Sequence, residues 1–173
     1  MNIAYTMAPG RGDTDSLLYR LAQQMEQGGY RPAGTVQINS EREDAGPCDM
    51  DVKVLPDGPV LRISQDLGRD AKGCRLDPAA LETAVGLVEG QLQQGVDFVV
   101  INKFGKHEAE GRGFRSVIAE AVALDIPVLV GVNSLNQQAF LDFTDGAALN
   151  LAPDLQALTD WVEQALSQNR DAA

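Results

Sequence analysis

The chain of 173 residues has few aromatic side chains, two cysteines, one histidine and no long hydrophobic run. Aromatic residues make up 5% of the sequence, so a hydrophobic core must be built mostly from aliphatic side chains. The longest apolar runs, such as 98–101 and 126–132, are far shorter than the roughly 20 residues of a membrane-spanning helix. The N-terminal residues lack the basic and then apolar pattern of a secretory signal peptide. We therefore expect a cytoplasmic protein that does not bind membranes.

The thiol and imidazole groups are too few and too scattered to predict a zinc site. Cys48 and Cys74 do not form a CxxC pair, and His107 is the only histidine. A cytoplasmic location argues against a disulfide, so we expect free thiols and no bound metal. His107 could act as a general acid or base beside a bound anion, or it could simply be exposed on an acidic loop.

Positive charge is scarce and unevenly distributed. The net charge of −11 disfavours nucleic acid and anionic membranes as partners. Four of the 14 basic residues lie between Arg62 and Arg75, four more lie between Lys103 and Arg115, and residues 116–168 contain neither lysine nor arginine. The two clusters predict a local anion site, unless they are a chance feature of a mixed-charge surface.

Short apolar strands alternate with amphipathic helices along the chain. Strands are predicted at 2–7, 33–38, 97–102, 127–132 and 148–152. Helices are predicted at about 13–27, 77–95, 114–124, 134–142 and 153–166. This alternation predicts one α/β domain over 1–173, in which helices cover both faces of a mostly parallel sheet.

Residues 48–65 depart from this alternation. They contain two short apolar stretches joined by Pro56-Asp57-Gly58, in which proline presets the first turn dihedral and glycine permits a positive φ. We therefore expect a β-hairpin appended to the main sheet. Ligands of open α/β sheets bind at the carboxyl ends of the strands, where the loops at 8–14, 66–76, 103–112 and 133–136 are predicted to lie.

Two glycines occur where the first predicted strand turns into the first predicted helix. The loop reads APGRGDT over residues 8–14, which resembles the phosphate-binding pattern GxxxxGK[ST] except that Asp13 replaces the lysine. Successive backbone N–H groups in such a loop can hold an oxyanion at a helix N-terminus. We therefore predict that Gly10, Arg11, Gly12, Asp13 and Thr14 bind an anion. A tight turn capped by Asp13, without a ligand, is the alternative.

The end of the strand at 97–102 is the second candidate. Asn102 stands where a P-loop enzyme places an acid that binds metal or positions water, and an amide is a poor ligand for Mg²⁺. Lys103, Lys106 and Arg112 follow and could neutralise an anion. We therefore add these four residues to the predicted anion site.

Glu108 and Glu110 lie in the same segment and could partly replace the missing acid. The weak catalytic candidates are therefore these two glutamates together with Lys103 and Lys106. The alternative is a solvated loop whose lysine and glutamate side chains pair with one another.

Four stretches resemble a bacterial domain-of-unknown-function family numbered 2478. They are ISQDLG at 63–68, GCRLDP at 73–78, INKFGKHEAEGRGFR at 101–115 and IPVLVGV at 126–132. The resemblance covers essentially the whole chain, and it implies a fold similar to that of P-loop nucleoside triphosphatases. Members of the family often occur beside molybdenum transport or molybdoenzyme functions, which implies molybdate, tungstate or a nucleotide as ligand.

The sequence supports three functional hypotheses. The first is an anion-binding accessory protein, which the absence of both the lysine and the acid favours over an enzyme. The second is a divergent Mg²⁺-dependent nucleoside triphosphatase or phosphotransferase, in which Lys103 or Lys106 would act in place of the P-loop lysine. The third is a protein-interaction module on a P-loop-derived scaffold. A homo-oligomer or a protein partner in molybdenum metabolism is compatible with each hypothesis.

Overall fold

A computed structural model of the chain describes residues 2–40, 49–65 and 76–172. The described strands are β1 (Ile3–Thr6), β2 (Pro32–Ser40), β3 (Asp49–Val54), β4 (Val60–Arg62), β5 (Phe98–Phe104), β6 (Val128–Val132) and β7 (Leu149–Leu151). The described helices are α1 (Asp13–Gln27), α2 (Pro78–Leu92), α3 (Lys106–Ala109), α4 (Arg115–Ala123), α5 (Gln137–Phe143) and α6 (Leu155–Ala172). Cys48, Cys74 and most of the loop predicted at 66–76 lie outside the described residues.

The strands form a seven-stranded sheet in the order β4-β3-β2-β5-β6-β1-β7. Its part from β2 to β7 is parallel, whereas β3 pairs antiparallel with both β2 and β4. The predicted α/β architecture with an appended hairpin is therefore confirmed. None of the helices within the described ranges is both long and apolar enough to cross a bilayer.

Successive side chains of β5 point to opposite faces of the sheet and so contribute to two hydrophobic cores, one on each face. Phe98 and Val100 pack with residues of α1 and α6. Val99 and Ile101 pack with residues of α2 and α4 on the other face. Since successive side chains of a strand point to opposite faces, a strand that is covered on both sides reads as a continuous apolar run.

The predicted start of α2 is explained by local hydrogen bonding. Asp77 caps α2, because its Oδ1 accepts hydrogen bonds from the backbone N–H groups of Ala79 and Ala80 at 2.9 and 3.2 Å. Proline follows at the first helical position, where its missing N–H group costs nothing. The last helix was predicted too short, because α6 continues to Ala172.

The segment after β5 differs most from the prediction. β5 continues to Phe104, and the register with β6 shifts between Ile101 and Phe104. The residues predicted as a charged loop at 103–111 include the short helix α3. The shift in register lets Phe104 join the core on the face of α2 and α4, whereas Asn102 faces α1.

Gly34 permits the close approach of β2 and β5. Its φ angle is 107°, and a Cβ at this position would overlap the carbonyl oxygen of Val100. Any other residue here would have to combine a strained backbone with a displaced strand.

We predict that Gly34→Ala lowers the free energy of unfolding by about 3 kcal/mol or more. The control is Gly86→Ala in α2, where no atom outside the neighbouring helix backbone lies within 4 Å of the added methyl group. This control should raise the free energy of unfolding by up to about 1 kcal/mol, because alanine favours a helix over glycine. Urea denaturation of both variants measures the difference, and equal effects would contradict the close approach of the two strands.

Candidate functional site

The loop between β1 and α1 lies at the carboxyl edge of the parallel part of the sheet. Gly12 adopts a left-handed conformation with φ 81°, and α1 begins at the next residue. The N–H group of Ser16 donates to the carbonyl oxygen of Gly12 at 3.0 Å, which closes the first helical turn. The strand-turn-helix arrangement predicted for residues 8–14 is therefore present, with glycine at a position that an L-residue would occupy only under strain.

Several backbone N–H groups of this loop have no protein acceptor. Across the described part of the chain, those of Gly10, Arg11, Gly12 and Thr14 donate no hydrogen bond. Backbone donors without a protein partner must be satisfied by water or by a ligand. The loop therefore presents a set of donors at the N-terminal end of a 15-residue helix.

Asp13 and Thr14 turn toward the loop itself. The carboxylate of Asp13 occupies the space that a Cβ on Gly10 would need. The hydroxyl oxygen of Thr14 accepts a hydrogen bond from the N–H group of Ala8 at 2.9 Å. The loop thus carries a negative charge above one of its glycines, where a P-loop would carry a lysine.

Asn102 joins β5 to two other elements beneath this loop. Its side chain is 4% exposed. Its Oδ1 accepts from the N–H group of Gln37 in β2 at 2.8 Å, and its Nδ2 donates to Oδ1 of Asp15 in α1 at 2.9 Å. A second contact from Nδ2 reaches Oε1 of Gln37 at 3.5 Å. The amide therefore supports the start of α1 from the sheet.

The predicted cations do not all converge on this loop. Lys106 and Arg112 are exposed, and both pair with Glu110. The hydrogen bond from Arg112 lowers the pKa of the Glu110 carboxyl below its usual value. Lys103 is also exposed, and among the described contacts no ion pair holds it. Lys103 is therefore the one of these three cations that no described carboxylate neutralises.

The structure does not support Glu108 as a metal ligand. This side chain is 3% exposed, and its two oxygens accept from the N–H groups of Gly105 and Phe114 at 2.9 and 3.2 Å. It therefore fixes α3 and the start of α4. The idea that His107 is simply exposed is wrong, because it is buried and pairs with Glu82 of α2.

Sequence reasoning missed Asp15 and Gln37. Asp15 is in the first turn of α1, and Gln37 is a polar residue within a predicted strand. The polar residue inside a predicted strand was a usable signal for Gln37. Its partner could not be identified from the sequence, because Gln37 and Asn102 are 65 residues apart. Within the described ranges, no group of three or more His, Cys, Asp and Glu side chains is arranged to hold a metal ion.

Comparison with known proteins decides the family. The model of the family described as "Protein of unknown function (DUF2478)" matches residues 3–161. The chain belongs to this family. The resemblance seen in the sequence is thereby confirmed.

The DUF2478 chain is also similar to part of a longer curated protein. It is 38% identical over 151 residues to the "Molybdenum import ATP-binding protein ModC 2" of Bradyrhizobium diazoefficiens, a match that covers 86% of this chain. The match spans only 17% of the length of that relative. The activity of the whole relative therefore does not transfer to this chain.

A solved structure shares the fold of this DUF2478 chain. It is the solution structure of a human cancer-related nucleoside triphosphatase, with a TM-score of 0.61, 14% sequence identity and full coverage of both chains. At this identity the likeness shows the fold alone. The α/β fold is thus similar to that of this nucleoside triphosphatase.

We predict that Asn102→Asp lowers the free energy of unfolding by about 2–3 kcal/mol at neutral pH, because it sets a carboxylate against Asp15 and removes a donor. Adding Asp15→Asn should recover part of this loss, since the new amide can donate to the new carboxylate. Urea denaturation of the single and double variants gives the coupling energy.

Asn150→Asp, at an exposed position on β7, is the matched control and should change stability by less than about 0.5 kcal/mol. Strictly additive effects of the changes at 15 and 102 would contradict the hydrogen bond between these side chains.

Proposed function

We propose that this DUF2478 chain is an anion-binding accessory protein with a degenerate P-loop. Its ligand is an oxyanion or the phosphates of a nucleotide, held by the loop at 8–14 without efficient hydrolysis. The observation that carries this proposal is the group of four loop N–H donors that have no acceptor among the described residues. Such donors at the start of a helix are suited to an anion.

Two exposed cations, one in the loop and one on β5, are proposed to modulate the charge of the loop. Arg11 is exposed within the loop, and Lys103 extends from the end of β5 without a described ion pair. We propose that these two cations neutralise a bound anion, whereas Lys106 and Arg112 are already paired with Glu110. Asp13 opposes the anion, so its carboxylate must turn away from Gly10 when a ligand binds.

The same features argue against efficient turnover of ATP. Transfer of a phosphoryl group depends on cations placed where charge develops and on a held metal ion. Here Asp13 replaces the lysine, Asn102 replaces the acid, and Glu108 is used to fix the backbone. Losing both charged groups removes several kcal/mol of transition-state stabilisation, on the order of 3 kcal/mol for each group.

The curated relative suggests which ligands to test. That protein is named for molybdenum import and for ATP binding. Molybdate is tetrahedral and doubly charged like phosphate, so the same backbone donors could bind either. We therefore propose molybdate, tungstate or a nucleotide phosphate as the ligand, and a protein of molybdenum metabolism as a partner.

We predict that Asp13→Asn increases affinity for molybdate or pyrophosphate about 5- to 10-fold, because it removes a carboxylate that competes for the loop and repels the ligand. Isothermal titration calorimetry with molybdate, tungstate, pyrophosphate, phosphate, sulfate and ATP, each with and without Mg²⁺, measures the change. Asp125→Asn is the matched control, because Asp125 is exposed at the opposite edge of the sheet and its φ of 56° suits asparagine.

Each outcome of the titration bears on a different function. Tighter binding in Asp13→Asn, with no change in Asp125→Asn, supports the anion site. Mg²⁺-dependent ATP turnover that Lys103→Ala abolishes would replace the proposal with a divergent triphosphatase. No binding of any anion to the wild type or to Asp13→Asn would contradict the proposal and favour an interaction module, in which Asp13 fills the loop permanently.

A further inference from the structure

A cavity of about 550 Å³ opens on the opposite face of the sheet from α1. It lies between α2 and the segment that links α3 to α4, and its lining includes Glu82, His107, Gly113 and Ser116. The cavity is separate from the loop at 8–14, so it is independent of the proposed anion site.

Glu82 offers one carboxylate oxygen to this cavity. Its Oε1 already accepts from Nε2 of His107 at 2.9 Å and from the N–H group of Gly113 at 3.0 Å. Its Oε2 accepts no hydrogen bond from any residue that the structure describes. The His107 side chain is 7% exposed and that of Glu82 is 47% exposed, so a buried partner holds a half-exposed carboxylate.

Ser116 adds a second hydrogen-bond acceptor to the cavity. The hydroxyl of Ser116 donates to Oε1 of Glu89 at 2.7 Å, which leaves its oxygen to accept. Arg112 also lines the cavity, where its guanidinium is paired with Glu110. A ligand that reaches Glu82 and Ser116 therefore meets two hydrogen-bond acceptors, one of them on a carboxylate.

We infer that the cavity binds a primary ammonium group through Oε2 of Glu82 and Oγ of Ser116. An ammonium is a compact charge that needs one carboxylate oxygen, whereas a guanidinium prefers both oxygens of a carboxylate. Because Oε1 is already committed to His107 and Gly113, the geometry favours the ammonium. The net charge of −11 also favours a cationic ligand.

NMR titration of the ¹⁵N-labelled full chain tests this inference. The N–H group of Gly113 donates to Glu82, so its chemical shift should respond when an ammonium reaches the same carboxylate. The probes are 1,5-diaminopentane, for a free amine, and Nα-acetyl-lysine methylamide, for the side chain of a protein partner. Tetramethylammonium is the control ligand, since it carries the charge without an N–H donor.

We expect saturable shifts at Gly113 and Ser116 with at least one of the two amines. Glu82→Gln should weaken this binding at least about tenfold, and Ser116→Ala about threefold, because each removes an acceptor. Glutamine at 82 keeps a carbonyl oxygen for Gly113, so the variant should retain the fold, which its own spectrum checks.

The matched control is Glu163→Gln, at an exposed position on α6, and it should bind the amines like the wild type. The amine that binds more tightly identifies the source of the ammonium group. The inference would be overturned if tetramethylammonium bound as tightly as the amines, or if Glu163→Gln weakened binding as much as Glu82→Gln does. It would also be overturned if neither amine caused a shift. None of these outcomes bears on the loop at 8–14, because the probes carry no anionic group.

Discussion

The side-chain amide of Asn102 connects the sheet to the loop on which the proposed function depends. One end of the amide accepts from the backbone of β2, and the other donates to the first turn of α1. The group is almost completely buried, so leaving either end unpaired would cost the free energy of a desolvated polar group. The first turn of α1, next to the loop N–H groups, is therefore tied to the sheet by a neutral amide.

The charges at this site differ from those of a P-loop enzyme. Asn102 at the end of β5 is neutral, and Asp13 in the loop is acidic. The loop retains glycine in the left-handed conformation and the N–H donors at the helix start, which are the parts that recognise an anion through the backbone. It lacks the lysine, and Asp13 brings a negative charge close to Gly10. On the proposed function, this combination favours reversible binding of a small anion, with Asp13 as an internal competitor, over stabilising the charge that develops during phosphoryl transfer.

The sequence was informative where the signal is local. Helix α1 and the hairpin of β3 and β4 follow from apolar spacing, glycine and the turn at Pro56-Asp57-Gly58. The region after β5 was predicted less well, because a shift in strand register and a short helix depend on tertiary packing of Phe104 and on the buried Glu108.

Charge alone also could not show which ion pairs form in the candidate site. Lys106 and Arg112 were grouped with the anion site for their charge, yet they pair with Glu110 in their own segment. Likewise, the contact between Asn102 and Asp15 joins residues that are 87 positions apart. Periodicity and composition carry no information about such pairings. By contrast, the parallel sheet does predict that the end of β5 and the start of α1 lie at the same carboxyl edge.

The most direct test of the central claim is to map where an anion binds by following backbone amide chemical shifts of the wild-type chain during titration with pyrophosphate. The claim that the loop N–H groups hold the anion predicts that the largest saturable shifts occur at Gly10, Arg11, Gly12 and Thr14, since these donors would exchange water for an oxyanion. Saturable shifts that are largest elsewhere, or no saturable shift at these four amides, would contradict it.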